Sequence, residues 1–351
     1  MRLIKTATAL CVGTIASVQD LTSSASSLRQ LGAHIEVPAA SVGGISSAEG
    51  STRHDIDTRE DVPIAGQRCT PSPLWAREVD PDEYEIGCKE VKELMRGNMT
   101  FVGRGHIRAV YIAPYKQRDV AVKPLIRPSL NGQHEHWLEM VASEAVKGKP
   151  NVVDMLGFCG STIVTEAYRR DVRHVIRHAK KPIPTKDVVS MSLDAAIGLR
   201  GLHEAAHAPI VHFDVKIEQL LVHEDGHVSL ADYNLAYFMG TNPDGSPCSF
   251  NKKAQGRIIS AIKSPEYVAR EPLTEKVDIY RMGLIFAEIL SAGKRPRFVA
   301  MKGGAISFDP SWNQEYVQIV QDMLGEVDRR PSAVELVSRL QALQQKLART
   351  T

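Results

Sequence analysis

No stretch of the chain reaches the roughly 18 apolar residues that a membrane-spanning helix requires, so no span is expected. No block of lysine and arginine is interleaved with aromatic residues, and the net charge is only +2 over 351 residues. A nucleic-acid partner therefore has no footprint in the sequence. None of the five cysteines has CxxC spacing, which argues against a cysteine-held metal. Without Cys11 the chain keeps Cys69, Cys88, Cys159 and Cys248. These four could make two bridges in an oxidising compartment, but buried or incidental free thiols are the expectation for most of them. No internal repeat is present. What remains, 43% hydrophobic and 24% charged residues, is the composition of a soluble globular protein with room for one large two-lobed domain and an extension.

The first residues are also poor in carboxylates, Asp20 and Glu36 being the first two. In "MRLIKTATALCVGTIASVQD", Arg2 and Lys5 precede a mildly apolar run from Ala7 to Val18, with small residues at Thr14 and Ala16. Residues 1–20 resemble a secretory signal peptide, and an organelle transit peptide or an unprocessed tail has a similar composition. Secretory or organelle targeting follows from the first two readings, a cytoplasmic protein from the third. Residues 21–83 lack a sustained period and read as a disordered, low-complexity linker. Asn98 opens an N-M-T glycosylation triplet.

Beyond residue 84 the texture changes. "FVGRGHIRAVYIAPYKQRDVAVKPLI" predicts two or three strands, with apolar residues alternating at Val110 and Ile112, then at Val120 and Val122. "HEHWLEMVASEAVKG" predicts a helix and "VVDMLGFCGSTIVTEAY" two more strands. After residue 168 the pattern is helical. Val189, Leu193, Ala196 and Ile197 share one face, "EKVDIYRMGLIFAEILSAG" is a long buried helix ending at Gly293, and Ser332 with Glu335 marks a capping box. Leu336, Leu340, Leu343 and Leu347 line the last helix. A strand-rich half followed by a helix-rich half predicts an α+β protein with two lobes.

Gly103 and Gly105 in "GRGHIRAV" let backbone N–H groups approach a phosphate without a Cβ in the way. Lys123 follows on a strand, two residues after the small Ala121. A helix with Glu139 comes next, preferred over Glu135 and Glu144 as the carboxylate that holds this lysine. Further on, "HFDVKIEQLLV" and "VSLADYNLA" place Asp214 and Asp232 beside strand-like segments joined by the turn "HEDGH", which brings both carboxylates to one rim. Clamps on phosphates, a metal ligand and a proton-accepting carboxylate are the parts that phosphoryl transfer from ATP requires.

These motifs resemble the eukaryotic protein kinase family over roughly residues 94–346, with a small lobe over 94–166 and a large one over 167–346. They occur in family order: "GRGHIRAV", "VAVK", "KPNVVDMLGFC", "GLHEAAHAPIVHFDVKIEQLLV", "DYN", "SPEY", "DIYRMG" and "RRPS". The resemblance implies a bilobal fold with an antiparallel small-lobe sheet and a helical large lobe, and an enzyme that uses ATP and Mg²⁺ on protein substrates. It implies that Lys123 contacts the α- and β-phosphates, that Asp214 is the base, and that Lys216 neutralises the transferred phosphate. It assigns Asp232 to Mg²⁺, Thr165 to the gatekeeper position, Glu166 and Ala167 to the hinge that reads adenine, and Val110 and Ala121 to the nucleotide-binding face. Glu266 and Arg330 match the ion pair that anchors the activation segment, and Asp278 the buried aspartate under the catalytic loop. Lys216, two residues after Asp214, is the pattern of kinases acting on Ser and Thr.

Four positions depart from the pattern. Arg108 stands for the third loop glycine and is expected to stiffen the lid and bring a cation near the phosphates. Phe213 replaces an Arg that meets an activation-loop phosphate, so phosphorylation there need not switch the protein on. Gln219 replaces the Asn that ligates a second Mg²⁺, offering its amide oxygen one methylene further out. Asn234 replaces the glycine of the metal triplet, and Asn tolerates left-handed backbone. An active Ser/Thr kinase and a pseudokinase that binds nucleotide or protein are the two expected functions, with a small-molecule kinase third. Between Asp232 and Glu266 the segment is long and basic near Lys252, Lys253 and Arg257, with Ser249 and Ser260 as candidate phosphosites.

Overall fold

Alternation puts Val120 and Val122 on the buried side of one strand, and around that strand the small lobe is built. The protein, analysed as a computed structural model, is described over residues 68–127, 129–251, 264–291 and 308–349. The leader over 1–20, most of the 21–83 segment, Lys252, Lys253, Arg257, Ser260 and Gly293 lie outside the described residues. After helix α1 (Cys88–Arg96) come strands β1 (Thr100–Arg104), β2 (Ala109–Tyr115) and β3 (Arg118–Pro124), helix α2 (Leu130–Ala145), and strands β4 (Met155–Cys159) and β5 (Thr162–Glu166). The five strands form one antiparallel sheet in the order β1-β2-β3-β5-β4. Val91 and Leu94 of α1 pack with Ala113, Val120, Val122 and Val164 of the sheet.

The second lobe is mostly helical. Short strand β6 (Arg170–Asp171) and helix α3 (Val172–His178) lead to helix α4 (Thr185–His203). Strands β7 (Ile210–Val211), β8 (Leu220–Val222), β9 (Val228–Leu230) and β10 (Tyr237–Phe238) then frame the loops that carry Asp214 and Asp232. Helices α5 (Pro265–Ala269), α6 (Lys276–Leu290), α7 (Gln314–Met323) and α8 (Ala333–Arg349) complete it. Ser332 N–H donates to Glu335 Oε2 at 2.7 Å and Glu335 N–H to Ser332 Oγ at 3.2 Å, the reciprocal cap predicted for α8. Leu336, Leu340 and Leu343 are fully buried, each contributing roughly 2 kcal/mol of apolar burial. Among the described residues no helix is long and apolar enough to cross a membrane.

The last part of the expected linker is built into the fold. Residues Pro73–Ala76 and Pro81–Glu83 form short 3-10 turns. Thr70 exchanges two backbone hydrogen bonds of 2.9 Å with Thr241, and Ile86 N–H donates to Leu156 O at 3.0 Å. Both contacts fall on glycines where chain meets chain. A Cβ at Gly157 would lie 1.9 Å from Ile86 O, and one at Gly240 would lie 2.4 Å from Thr70 O. The composition that suggested disorder hid Trp75, whose Nε1 donates to Phe238 O at 2.8 Å while its ring stacks on Trp137 of α2.

The expectation of free thiols is also corrected. Cys69 is bonded to Cys248 and Cys88 to Cys159. The partners are 179 and 71 residues apart, so no local spacing announces them. The fold supplies the proximity, with Cα–Cα separations of 6.1 and 4.8 Å. By loop-closure entropy each bridge stabilises the folded chain by about 4–5 kcal/mol. Replacing Cys88 and Cys159 together by serine should lower the unfolding free energy by about 4 kcal/mol, read from denaturant titration of parent and variant. An unchanged midpoint would mean that the bridge adds nothing to stability.

Candidate functional site

Of the three glutamates weighed for Lys123, Glu139 is the one beside it. Lys123 Nζ donates to Glu139 Oε1 at 2.7 Å. Glu144 instead accepts from the Tyr84 hydroxyl. The second Glu139 oxygen is held by Arg108, whose Nε lies 2.8 Å from Oε2. Arg108 therefore does not offer a cation to phosphates. It is buried, and it also donates to Lys123 O at 3.0 Å and to His136 Nδ1 at 2.6 Å. Burial pushes the Glu139 carboxyl up, but Lys123 and Arg108 together overcome this and hold it at about 2. Because Arg108 can only donate, His136 Nδ1 is the acceptor and its Nε2–H donates to Gly160 O at 2.9 Å. Burial, then the charge of Arg108, lowers the His136 pKa and keeps the ring neutral.

The residues assigned to nucleotide lie on the sheet beside this pair. Gly103 faces Val110 across β1 and β2, and Gly105 N–H donates to Arg108 O at 2.8 Å. A Cβ at Gly103 would meet nothing within 4 Å, so the surface above the loop is open. Ala121 is buried and pairs with Ile112 on one side and Thr165 on the other. Thr165 is buried at the end of β5, while Glu166 and the following Ala167 are half-buried where the chain passes to the second lobe.

The catalytic-loop candidates converge through one amide. Asp214 is buried, and Lys216 Nζ sits on its Oδ2. Gln219 Nε2 donates to Asp214 Oδ2 at 3.4 Å and to Asp232 Oδ2 at 3.1 Å. Gln219 Oε1 accepts from Lys216 N–H at 3.0 Å. The oxygen expected to face a second cation is therefore occupied, and the nitrogen faces the two aspartates. Burial, followed by the charge of Glu139, raises the Asp232 carboxyl above its ordinary range, so Asp232 and the Lys123–Glu139 pair are electrostatically one site. Asp232 itself has φ +68°, whereas Asn234 is not among the left-handed residues. The tolerance invoked for Asn234 is not needed there.

Below the loop, Asp278 is fully buried and accepts from His212 N–H at 2.7 Å, Phe213 N–H at 2.9 Å and His203 Nε2 at 3.2 Å. The sequence did not mark its neighbour Arg281, whose guanidinium reaches Phe213 O and Asp214 Oδ1. The available signal was a charged residue three positions after Asp278 in a mostly apolar helix, a spacing that puts both on one face. Phe213 is buried among Met239, Phe250, Leu273 and Val277, so an apolar contact ties the loop to the segment after Asp232. Glu266 and Arg330 form a buried bidentate pair at 2.6 and 2.9 Å.

The model of the family described as protein tyrosine and serine/threonine kinase matches residues 88–337. Among similar relatives is PTI1-like tyrosine-protein kinase 1 of Arabidopsis thaliana, 27% identical over 299 residues, which cover 78% of this chain and 81% of that protein. The probable serine/threonine-protein kinase PBL5 of the same plant is 28% identical over 55% of this chain and 47% of its own. Serine/threonine-protein kinase PBS1, also from that plant, is 28% identical over 56% of this chain and 44% of its own.

His136 gives the site a pH signature. Its folded pKa lies below the ordinary 6.5, so the unfolded chain takes up the proton first. The stability it contributes is complete above pH 6.5 and is lost as the pH falls through the lower folded value. The carboxylate of Glu139, held at about 2, adds slope only as the pH nears its unfolded value of 4.5, at the low end of that range. Unfolding free energies measured from pH 7.5 down to about 5 should fall more steeply for the parent than for His136→Gln. Parallel curves would remove His136 from the account.

Proposed function

The chain belongs to the family of protein tyrosine and serine/threonine kinases, and we propose that it is an active, ATP- and Mg²⁺-dependent kinase acting on serine and threonine hydroxyls of protein substrates. One observation carries this reading: a buried Asp214 with Lys216 on its Oδ2 and Asp232 a single amide away. In the proposed reaction the acceptor oxygen attacks the γ-phosphorus and its proton passes to Asp214 Oδ2. The bond from phosphorus to the β,γ-bridging oxygen breaks, and ADP leaves. Lys216 would follow the transferred phosphate, and its position two residues after the base supports Ser and Thr as acceptors. Lys123, fixed by Glu139, would meet the α- and β-phosphates, and the open surface at Gly103 would admit them. Val110, Ala121, Thr165, Glu166 and Ala167 would receive adenine.

The donor set fits one Mg²⁺. Asp232 Oδ1 carries no hydrogen bond among the described residues, while Gln219 Oε1 is engaged by Lys216 N–H. When bound, Mg²⁺ supplies charge to the phosphates, and Asp232 is the residue that would hold it. A second ion at Gln219 does not fit this arrangement. That same fact favours the second reading, a pseudokinase that binds nucleotide or a protein partner. The Phe213 cluster supports an activation segment held without a phosphate. Two disulfides support work in an oxidising compartment, in line with the secretory reading of the leader. N-terminal sequencing of the natural protein tests that placement, and an unprocessed Met1 would overturn it.

With radiolabelled γ-phosphate on ATP, the chain should label Ser and Thr in itself or in a generic acceptor. Asp214→Asn should lose about 10²–10⁴ of the rate. Nucleotide binding without transfer in the parent would leave the pseudokinase reading. Gln219→Asn should lower the rate, since the shorter amide cannot reach Lys216 N–H and both aspartates together. A rise would show that a missing second-metal ligand limits the chemistry.

A further inference from the structure

Arg281 sits one turn after Asp278 on α6, and its side chain is 11% exposed. One Nη donates to Phe213 O and the other to Asp214 Oδ1 at 3.3 Å, and Nε has no hydrogen-bond partner. A largely buried guanidinium whose Nε–H is buried and unpartnered is a poor way to stabilise a fold, because an apolar side chain of similar volume avoids the desolvation. The residue it grips needs gripping. Phe213 has φ +64°, a left-handed conformation that a bulky side chain rarely adopts, and Asp278 already holds its N–H. The two oxygens of Asp214 then differ. Oδ1 is tied to a buried helix, whereas Oδ2 meets Gln219 and Lys216, whose side chain is 40% exposed.

We propose that Arg281 is a positioning residue for the catalytic base: by holding Phe213 O and Asp214 Oδ1 it orients the carboxylate so that Oδ2 receives the proton of the acceptor hydroxyl. The proposal rests on the kinase reading above. Nothing in it requires Arg281 to touch nucleotide or acceptor. Its loss should therefore act on turnover and leave substrate binding in place.

The test uses the full disulfide-bonded chain, with steady-state transfer from ATP to a generic acceptor, calorimetric binding of ATP, and thermal unfolding. Arg281→Gln keeps one donor and loses the two-point hold. It should lower kcat about 100-fold with KM for ATP and the calorimetric affinity unchanged, as expected for a misplaced base. Arg281→Lys preserves the charge and reaches a single acceptor, so its kcat should fall between the two, and it keeps the test alive if the glutamine variant does not fold. A kcat within about twofold of the parent in either folded variant overturns the proposal. So does a fall in kcat matched by a fall in ATP affinity, which marks a structural role only. A parent chain that binds ATP and transfers nothing overturns the kinase reading, and this proposal with it.

Discussion

One turn of α6 and its grip on the Phe213 peptide set the geometry of the site. Asp278 accepts the Phe213 N–H and Arg281 donates to its C=O, so a residue with φ +64° is held at both ends. A carboxylate as buried as Asp278 would be costly alone, and its three donors make it tolerable. The same turn reaches both aspartates. Arg281 touches Asp214, and His212, whose N–H is on Asp278, donates through Nε2 to Ala231 O immediately before Asp232. Two carboxylates on separate loops are thus referenced to one rigid helix, and rigid support is what positions reacting groups to within a fraction of an ångström.

The small lobe is fixed by a comparable device made from the segment that precedes it. Trp75 lies against Trp137 of α2 and against Tyr237 and Phe238, and its indole N–H is bonded to Phe238 O. The helix that carries Glu139 and the segment that follows Asp232 therefore share a wedge. Farther along, Tyr84 packs on Phe158 and gives its hydroxyl to Glu144, at the C-terminal end of the same helix. The two disulfides close near the two glycines that admit the incoming chain, Gly240 and Gly157. With α2 so seated, Glu139 presents one oxygen to Lys123 and the other to Arg108, and Arg108 returns a hydrogen bond to Lys123 O. This triangle keeps the lysine in place without any ligand.

What the sequence made legible was what local pattern encodes. Alternation revealed the strands around Lys123, helical spacing revealed α4 and α8, and the capping box marked the start of α8 at the right residues. Glu139 is preferred for Lys123 among three carboxylates of the helix that follows it, whereas the pairing of Glu266 with Arg330, 64 residues apart, comes from a resemblance rather than from spacing. The misses share a cause. The place of Arg108 in a glycine loop suggests a phosphate, but its direction depends on a carboxylate 31 residues later. The cysteines carry no local signature because their partners are brought close only by the finished sheet. Residues 68–83 were read as linker from small and polar composition, which outweighed a single tryptophan that the fold uses heavily. Arg281 carries no local signal of its contact, because Phe213 and Asp214 lie 68 and 67 residues before it.

Fixed side chains set most of the charge around the two aspartates. Asp214, Asp232 and Glu139 are three carboxylates, and Lys123, Lys216, Arg108 and Arg281 are four cations in contact with Asp214 or Glu139. An amide nitrogen between Asp214 and Asp232 adds two N–H dipoles where an ion would add two full charges. These cations are not equivalent. Arg108 is buried and Arg281 largely so, and both are pinned to backbone oxygens, which leaves them little freedom to move. Lys216, on its flexible stem and partly in solvent, is held only at Asp214 Oδ2, as the role proposed for it requires. Fixed charge then holds the carboxylates, and in the proposed reaction the most mobile of the four cations is the one assigned to the transferred phosphate.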